Sequence, residues 1–202
     1  TVGPATSRKI ASAAEARGAL FLDAPVSGGT GRALAGKLTV MVAGRREAYE
    51  TALPVFQALG SNVFHLGPSG MASAVKLANN LALAINTVGA AESFNLGVRL
   101  GADPKVLLDV MGKSSGQSYV LDSMGPSLLA RQFGSGSSLV HIFLKDLALA
   151  HEVAREVAAP LPAGDMALDV FQMLASGWPE DTTLASLLLL LEDLAGESAA
   201  KE

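Results

Sequence analysis

The stretch from Met71 to about Leu100 constrains the fold more than any other. It carries no proline and few charges, and it is entered through the turn Gly67-Pro68-Ser69-Gly70. That pattern predicts one long helix. At 1.5 Å per residue such a helix spans about 45 Å, enough to leave one domain and form the spine of another. Its apolar body of Ala, Leu, Val and Ile carries a polar group, Lys76, Asn79 and Asn80. Lys76 and Asn80 are four apart and share a face. Taken alone, a lysine near the first turn of a helix usually snorkels to water, and an Asn pair can be surface. Buried together, an ammonium and an amide would need a purpose.

Upstream of this helix, structure alternates. Pro4 to Arg17 reads as a helix stopped by Gly18, and Ala19–Asp23 as a short buried strand. Pro25 opens the loop Ala24-Pro25-Val26-Ser27-Gly28-Gly29-Thr30-Gly31. In an open α/β sheet the loop at a strand's carboxyl end is where ligands sit. Two adjacent glycines expose backbone N–H groups and the Ser27 hydroxyl adds a donor, so the loop can hold a carboxylate or phosphate. No Gly-Lys-Ser/Thr follows, so it is not a P-loop, and by itself a Ser-Gly-Gly is an ordinary surface turn. Leu38–Gly44 is the clearest strand, Arg46–Leu59 a helix closed by Gly60, and Asn62–Gly67 a third strand. Beyond Leu100 no strand is expected. Helices are predicted from Asp103-Pro104 with Leu107, Leu108, Val110 and Met111 on the apolar face. Others follow over Tyr119–Met124, Leu139–Ala158, Met166–Ala175 and Thr182–Leu194, with a loop at Gly134–Ser138. The expected class is α/β over residues 1–68, then an all-α domain over 69–202 built on the long interdomain helix.

Composition narrows the function. A net charge of −4 disfavours nucleic acid and anionic membranes as partners. The absence of cysteine excludes thiol nucleophiles and Cys-based metal sites, and His65, His141 and His151 lack metal-ligand spacing. The longest apolar run, Leu187–Leu191, is too short for a bilayer, so a soluble, cytoplasmic protein is expected. The first residue is Thr, which suggests a fragment or a processed chain.

Four segments in order carry a resemblance: Asp23-Ala24-Pro25-Val26-Ser27-Gly28-Gly29; Gly36 to Gly44; Gly67-x-x-Gly70-x-x-x-x-x-Lys76-x-x-Asn79-Asn80; and Lys145-Asp146-Leu147-x-Leu149-Ala150. Together they resemble the β-hydroxyacid dehydrogenases, nearest to the 3-hydroxyisobutyrate dehydrogenases and then the tartronate semialdehyde reductases. The resemblance implies an NAD- or NADP-dependent oxidoreductase. It implies the C-terminal part of a Rossmann-type dinucleotide-binding domain followed by the helical domain. It also implies roles: Ser27, Gly28 and Gly29 hold the substrate carboxylate, Lys76 is the catalytic acid/base, and Asn80 orients it. Thr1 and Lys145 lie at the cofactor. No metal is implied.

Two departures accompany the resemblance. The family's Gly-x-Gly-x-x-Gly turn is not in the sequence, so the chain is expected to begin midway through the cofactor domain and alone to bind NAD(P) weakly or not at all. Ser138 stands where many members carry an aromatic. The resemblance leaves open 3-hydroxyisobutyrate, tartronate semialdehyde and 4-hydroxybutyrate or succinic semialdehyde as substrates. A different reading is a non-catalytic dimerisation or binding module derived from the family. Under either, homo-oligomerisation through the helical domain, as dimer or tetramer, is expected.

Overall fold

The structure is a computed structural model that describes residues 1–134, 139–179 and 182–197. The expected loop at Gly134–Ser138 and the position of Ser138 therefore fall almost wholly outside the described residues. The chain forms two compact units, Thr1–Asn80 and Leu81 onward.

The first unit begins with α1 (Pro4–Glu15), whose Pro4 occupies a position where a missing N–H costs nothing. Then come β1 (Leu22–Asp23), β2 (Val26–Ser27), α2 (Gly29–Leu34), β3 (Thr39–Gly44), α3 (Arg46–Leu59), β4 (Asn62–His65) and α4 (Met71–Arg99). The centre of the sheet is β3, with Val40, Met41, Val42 and Ala43 all buried. A strand covered on both faces reads as a continuous apolar run, which is why this one was legible. β4 lies parallel to β3 on one side. β1 and β2 lie antiparallel on the other, pairing Leu22 with Gly44, Asp23 with Ala43, Val26 with Val40 and Ser27 with Thr39.

That register runs without a slip, so β1 and β2 are one edge line broken at Ala24-Pro25. Pro25 has no N–H to donate, but its carbonyl accepts from Met41 N at 3.0 Å. An edge tolerates proline where a central strand would not. The expected strand over Ala19–Asp23 thus forms only at its end and resumes at Val26. The expected loop over residues 24–31 contains β2 and the first part of α2 instead. Short apolar runs beside proline carry no periodicity that distinguishes these outcomes.

The compact units divide twelve residues after the change of class at residue 68, because the first turns of α4 pack with the sheet. Ala72 sits in a small core with Met41 and Ala43, against Leu66.

The second unit continues with α5 (Pro104–Gly112), α6 (Tyr119–Ala130), α7 (Leu139–Glu156), α8 (Pro162–Gly177), a 3-10 turn at Leu184–Ser186 and α9 (Leu187–Leu194). Among the described residues it is all-helical apart from an isolated bridge between Gly134 and Thr182. Its core joins Phe94 of α4, Leu121, Met124 and Leu128 of α6, Phe143 and Leu147 of α7, Phe171 and Leu174 of α8, and Leu187, Leu188 and Leu190 of α9. Asp103 caps α5, accepting from Lys105 N at 2.9 Å and Val106 N at 3.0 Å.

Four expectations need correction in this unit, the first being the helix expected over Thr182–Leu194, which starts as a 3-10 turn at Leu184 and is α-helical only from Leu187. α6 does not stop at Met124 but runs through Gly125-Pro126 to Ala130. Pro126 is solvent-exposed, while Leu121, Met124 and Leu128 are buried along one face, so tertiary burial outweighs the lost helical hydrogen bond. Val110 is exposed and does not share the buried face of α5 with Leu107, Leu108 and Met111. α8 begins four residues earlier than expected, at Pro162, because proline suits a first helical turn as well as it ends a preceding helix.

His151 is buried on α7 beside Asp165 of α8. Its Nδ1 lies 2.8 Å from the Leu147 carbonyl, which can only accept, so Nδ1 is the protonated nitrogen. Its Nε2 lies 2.9 Å from Asp165 Oδ1 but out of line for a hydrogen bond, so this contact is one of proximity alone. No helix among the described residues is long and apolar enough to cross a membrane.

Candidate active site

The site is built around the entry to α4. The first N–H groups of any helix have no partner within it. Here two of them point at a carboxylate that is distant in sequence. Asp23 Oδ1 accepts from Gly70 N at 3.0 Å, and Oδ2 from Ser73 N at 3.1 Å and Ser73 Oγ at 3.2 Å. Ser73 Oγ is also 2.8 Å from Ser7 Oγ of α1. Since Ser73 gives its hydroxyl proton to Asp23, Ser7 donates to Ser73. One chain of hydrogen bonds thus runs α1 to α4 to β1 through buried groups, Asp23 being 5 % exposed. Gly70 makes the approach possible. Its φ is 94°, and a Cβ there would lie 2.9 Å from the Pro4 carbonyl oxygen.

One turn further along α4, Lys76 and Asn80 share a face as their spacing predicts. Lys76 is half-buried and Asn80 is buried, 4 % exposed, with Asn79 Nδ2 donating to its Oδ1 at 3.2 Å. A buried side-chain amide is held by hydrogen-bond partners.

Ser27 closes the edge line as part of β2, half-buried, and Gly28 and Gly29 lead into α2. Gly28 has φ 137° and ψ −10°, and Gly29 φ 65°. Neither is comfortable for a residue with a Cβ, so the glycines are required by the turn itself. The rule that ligands sit at the carboxyl ends of parallel strands does not reach this loop. Its strand is antiparallel to β3, so it ends beside Thr39, at the amino end of β3.

Thr1 borders a pocket of about 220 Å³ together with Val2, Ser7, Ile10, Phe21, Asp23, Ala24, Pro25 and Ser73. The pocket therefore adjoins the Asp23 network. Lys145 lies in the other unit, on α7, with its side chain 55 % exposed and its Nζ 2.5 Å from Asp146 Oδ1. Adjacent helical residues do not normally face each other, and Asp146 is buried while Lys145 is not. Among the described residues no three His, Asp or Glu side chains are grouped to hold a metal ion.

Thr1, Ser27, Gly28, Gly29, Lys76 and Asn80 all belong to the first unit, and Lys145 belongs to the second. Asp23, Ser73 and Ser7 are what a reading of the sequence passes over. In the sequence Asp23 is legible only as the end of a short strand and the start of a resembling segment. The available signals were a serine in the first turn of an apolar helix and an aspartate just before a proline-broken strand.

Comparison with known proteins agrees with this architecture. Residues 70–191 match the family model described as NAD-binding of NADP-dependent 3-hydroxyisobutyrate dehydrogenase, and residues 1–67 that described as the NAD binding domain of 6-phosphogluconate dehydrogenase. The chain is 43 % identical over 180 residues to the NAD-dependent L-serine dehydrogenase of Pseudomonas aeruginosa, covering 86 % of this chain and 60 % of that protein. It is 38 % identical over 185 residues to human mitochondrial 3-hydroxyisobutyrate dehydrogenase, covering 87 % of this chain and 54 % of that one. The solved structure of Mycobacterium tuberculosis 3-hydroxyisobutyrate dehydrogenase with L-serine superposes with a TM-score of 0.86 at 30 % identity, over 95 % of this chain and 67 % of that one. The chain therefore spans a little over half the length of the curated relatives it matches. Its fold class is that of a Rossmann NAD-binding domain joined to a helical domain, and NAD or NADP is the cofactor of its relatives. The chain belongs to the β-hydroxyacid dehydrogenase family, close to 3-hydroxyisobutyrate dehydrogenase.

Proposed function

We propose that this chain carries the acid/base and carboxylate-binding parts of an NAD- or NADP-dependent dehydrogenase that interconverts a small β-hydroxy acid and its semialdehyde. The named substrates of three relatives, L-serine, 3-hydroxyisobutyrate and 2-(hydroxymethyl)glutarate, define the class. All three share a hydroxymethyl group on the carbon that bears a carboxylate. Such a substrate needs an anion anchor at one end and a proton acceptor at the other.

In this reading the Ser27 hydroxyl and the backbone N–H groups of Gly28 and Gly29 take the carboxylate. Lys76 removes the hydroxyl proton in oxidation and returns it in reduction. Asn80 orients the Lys76 amine without adding a charge, whereas a carboxylate there would hold the ammonium protonated. The nicotinamide supplies the hydride chemistry. The pocket at Thr1 suits one end of that cofactor. Its walls include Val2, Phe21 and Pro25, with the Thr1 hydroxyl as a polar contact, yet about 220 Å³ is too little for a whole dinucleotide. Lys145 is the proposed second contact.

The single observation that carries the reading is the common anchor at Asp23. From it the strand rises about 13 Å to Ser27, and from Gly70 the helix rises about 9 Å to Lys76. The strand that leads to Ser27 and the helix that carries Lys76 are thus tied to each other at one residue. We further propose that the chain self-associates through its helical unit, where Leu96 of α4, Leu100 just after its end, and Val106 and Val110 of α5 are exposed apolar residues.

The test is turnover of the three hydroxy acids with each cofactor, before and after Lys76→Ala. The variant is expected to lose at least about a hundredfold in rate with its unfolding midpoint unchanged. Retention of more than about a tenth of the rate would contradict the role of Lys76.

A further inference from the structure

The geometry points to Asp23 as the positioning residue of the site: its buried carboxylate clamps the first turn of α4 to the edge strand, and so sets Lys76 relative to the Ser27-Gly28-Gly29 turn. This rests on the reading of Lys76 as the proton-transfer group.

Four observations support it. Asp23 is buried, yet both of its oxygens are taken by α4, at distances of 3.0 to 3.2 Å. The donors are two backbone N–H groups and a hydroxyl of a helix start, the place where a negative charge is most favourable. The contacts join residues 47 and 50 positions apart, so they fix one element against another and do not merely cap a local turn. Asp23 also lies in the same unslipped edge line as Ser27, paired to β3 at both ends. A shift of α4 against that line moves Lys76 and leaves Ser27 in place.

A carboxylate is the group suited to this task. Its oxygens only accept, and three donors converge on them. Asn at this position has the same outline but turns an NH₂ toward one set of donors. The bonded set then loses a partner at unchanged volume.

The experiment compares wild type, Asp23→Asn and Lys76→Ala in the intact enzyme. In the wild type, the Gly70 and Ser73 amides should exchange with solvent as slowly as those of β3, although first-turn amides ordinarily exchange fast. In Asp23→Asn their exchange should quicken by at least about tenfold, the worth of a charge-assisted hydrogen bond. Its kcat per folded molecule should fall by about a hundredfold, as expected when a catalytic group is misplaced by about 1 Å. KM for the hydroxy acid should change by less than about threefold, since the carboxylate anchor is untouched.

Fast exchange of Gly70 and Ser73 in the wild type overturns the proposal even if Asp23→Asn fails to fold. Unchanged kcat in Asp23→Asn beside an inactive Lys76→Ala overturns the clamp alone. An active Lys76→Ala instead overturns the proton-transfer reading beneath it.

Discussion

Replacing the glycines of the candidate carboxylate turn one at a time should give a graded series of stabilities, because the three neighbours sit in three different backbone environments. Gly28 has φ 137° and ψ −10°, outside the regions open to L-residues, and its added Cβ would lie 2.8 Å from Arg32 Cβ, 2.9 Å from Arg32 Cδ and 3.2 Å from Leu38 Cδ2. Backbone strain of this sort is worth about 1–3 kcal/mol. The collision adds about 1–3 kcal/mol, since Arg32 Cβ cannot swing away unless α2 moves. Gly29 has φ 65° with nothing within 4 Å, so Gly29→Ala bears only the left-handed penalty of about 1–2 kcal/mol. Gly31 lies in α2 with no positive φ and open space around it, so Gly31→Ala should be neutral or stabilise by up to about 1 kcal/mol. The assay is urea-dependent hydrogen exchange at the Val40 and Val42 amides, which report opening of the sheet unit apart from the helical one. If Gly28→Ala came within about 1 kcal/mol of Gly31→Ala, the turn would not have the strained geometry on which its N–H groups depend.

Further outcomes follow from other close approaches. A Cβ on Gly60 would lie 2.1 Å from the Leu38 carbonyl oxygen. Backbone cannot yield as a side chain does, so Gly60→Ala should destabilise the sheet unit by more than about 3 kcal/mol in the same exchange assay. On Gly97 the added Cβ would meet the Leu107 side chain at 2.5 Å. Gly97→Ala should therefore destabilise the helical unit by about 1–3 kcal/mol, and Leu107→Ala in the same chain should remove most of that increment in a double-mutant cycle. Arg131 holds Glu192 through two bonds of 2.8 Å, and the hydrogen bonding to Glu192 raises its pKa above the ordinary guanidinium value. A cation with a raised pKa contributes fully below its ordinary pKa and is lost only above it. Urea unfolding should thus show Arg131→Ala costing about 1 kcal/mol equally at pH 7 and pH 10, and less in high salt.

The elements most legible in the sequence are those whose stability is local or uniform. α4 was visible because it has no proline and little charge, and β3 because burial on both faces demands an unbroken apolar run. α3 was legible to the residue, through the turn signals around it. The misreadings fall where distant residues decide. Gly125-Pro126 looked like an end because the residues that bury Leu121, Met124 and Leu128 come from other helices and leave no local pattern. Ser27 looked like loop because β2 is held by pairing to Thr39 and Val40, not by its own pattern. Of the candidate site, the Lys76–Asn80 face was legible from helical spacing alone. The conformations of Gly28 and Gly29 were legible only as a permission for positive φ.

Asp23 shows why a reading by residue type stops short at a site of this kind. An aspartate at a strand end is an ordinary residue, and so is a serine in a first helical turn. What makes them matter is a distance of about 3 Å between positions fifty apart in the chain. That contact converts two rigid elements into one frame, and a frame is what general acid/base catalysis needs, since a displaced proton carrier loses rate much faster than it loses binding. The same reasoning explains why the frame is built from buried charge and not from apolar contact. Packing tolerates small slides of one element over another, whereas three hydrogen bonds converging on one carboxylate are satisfied in a single arrangement and leave an expensive buried ion in any other.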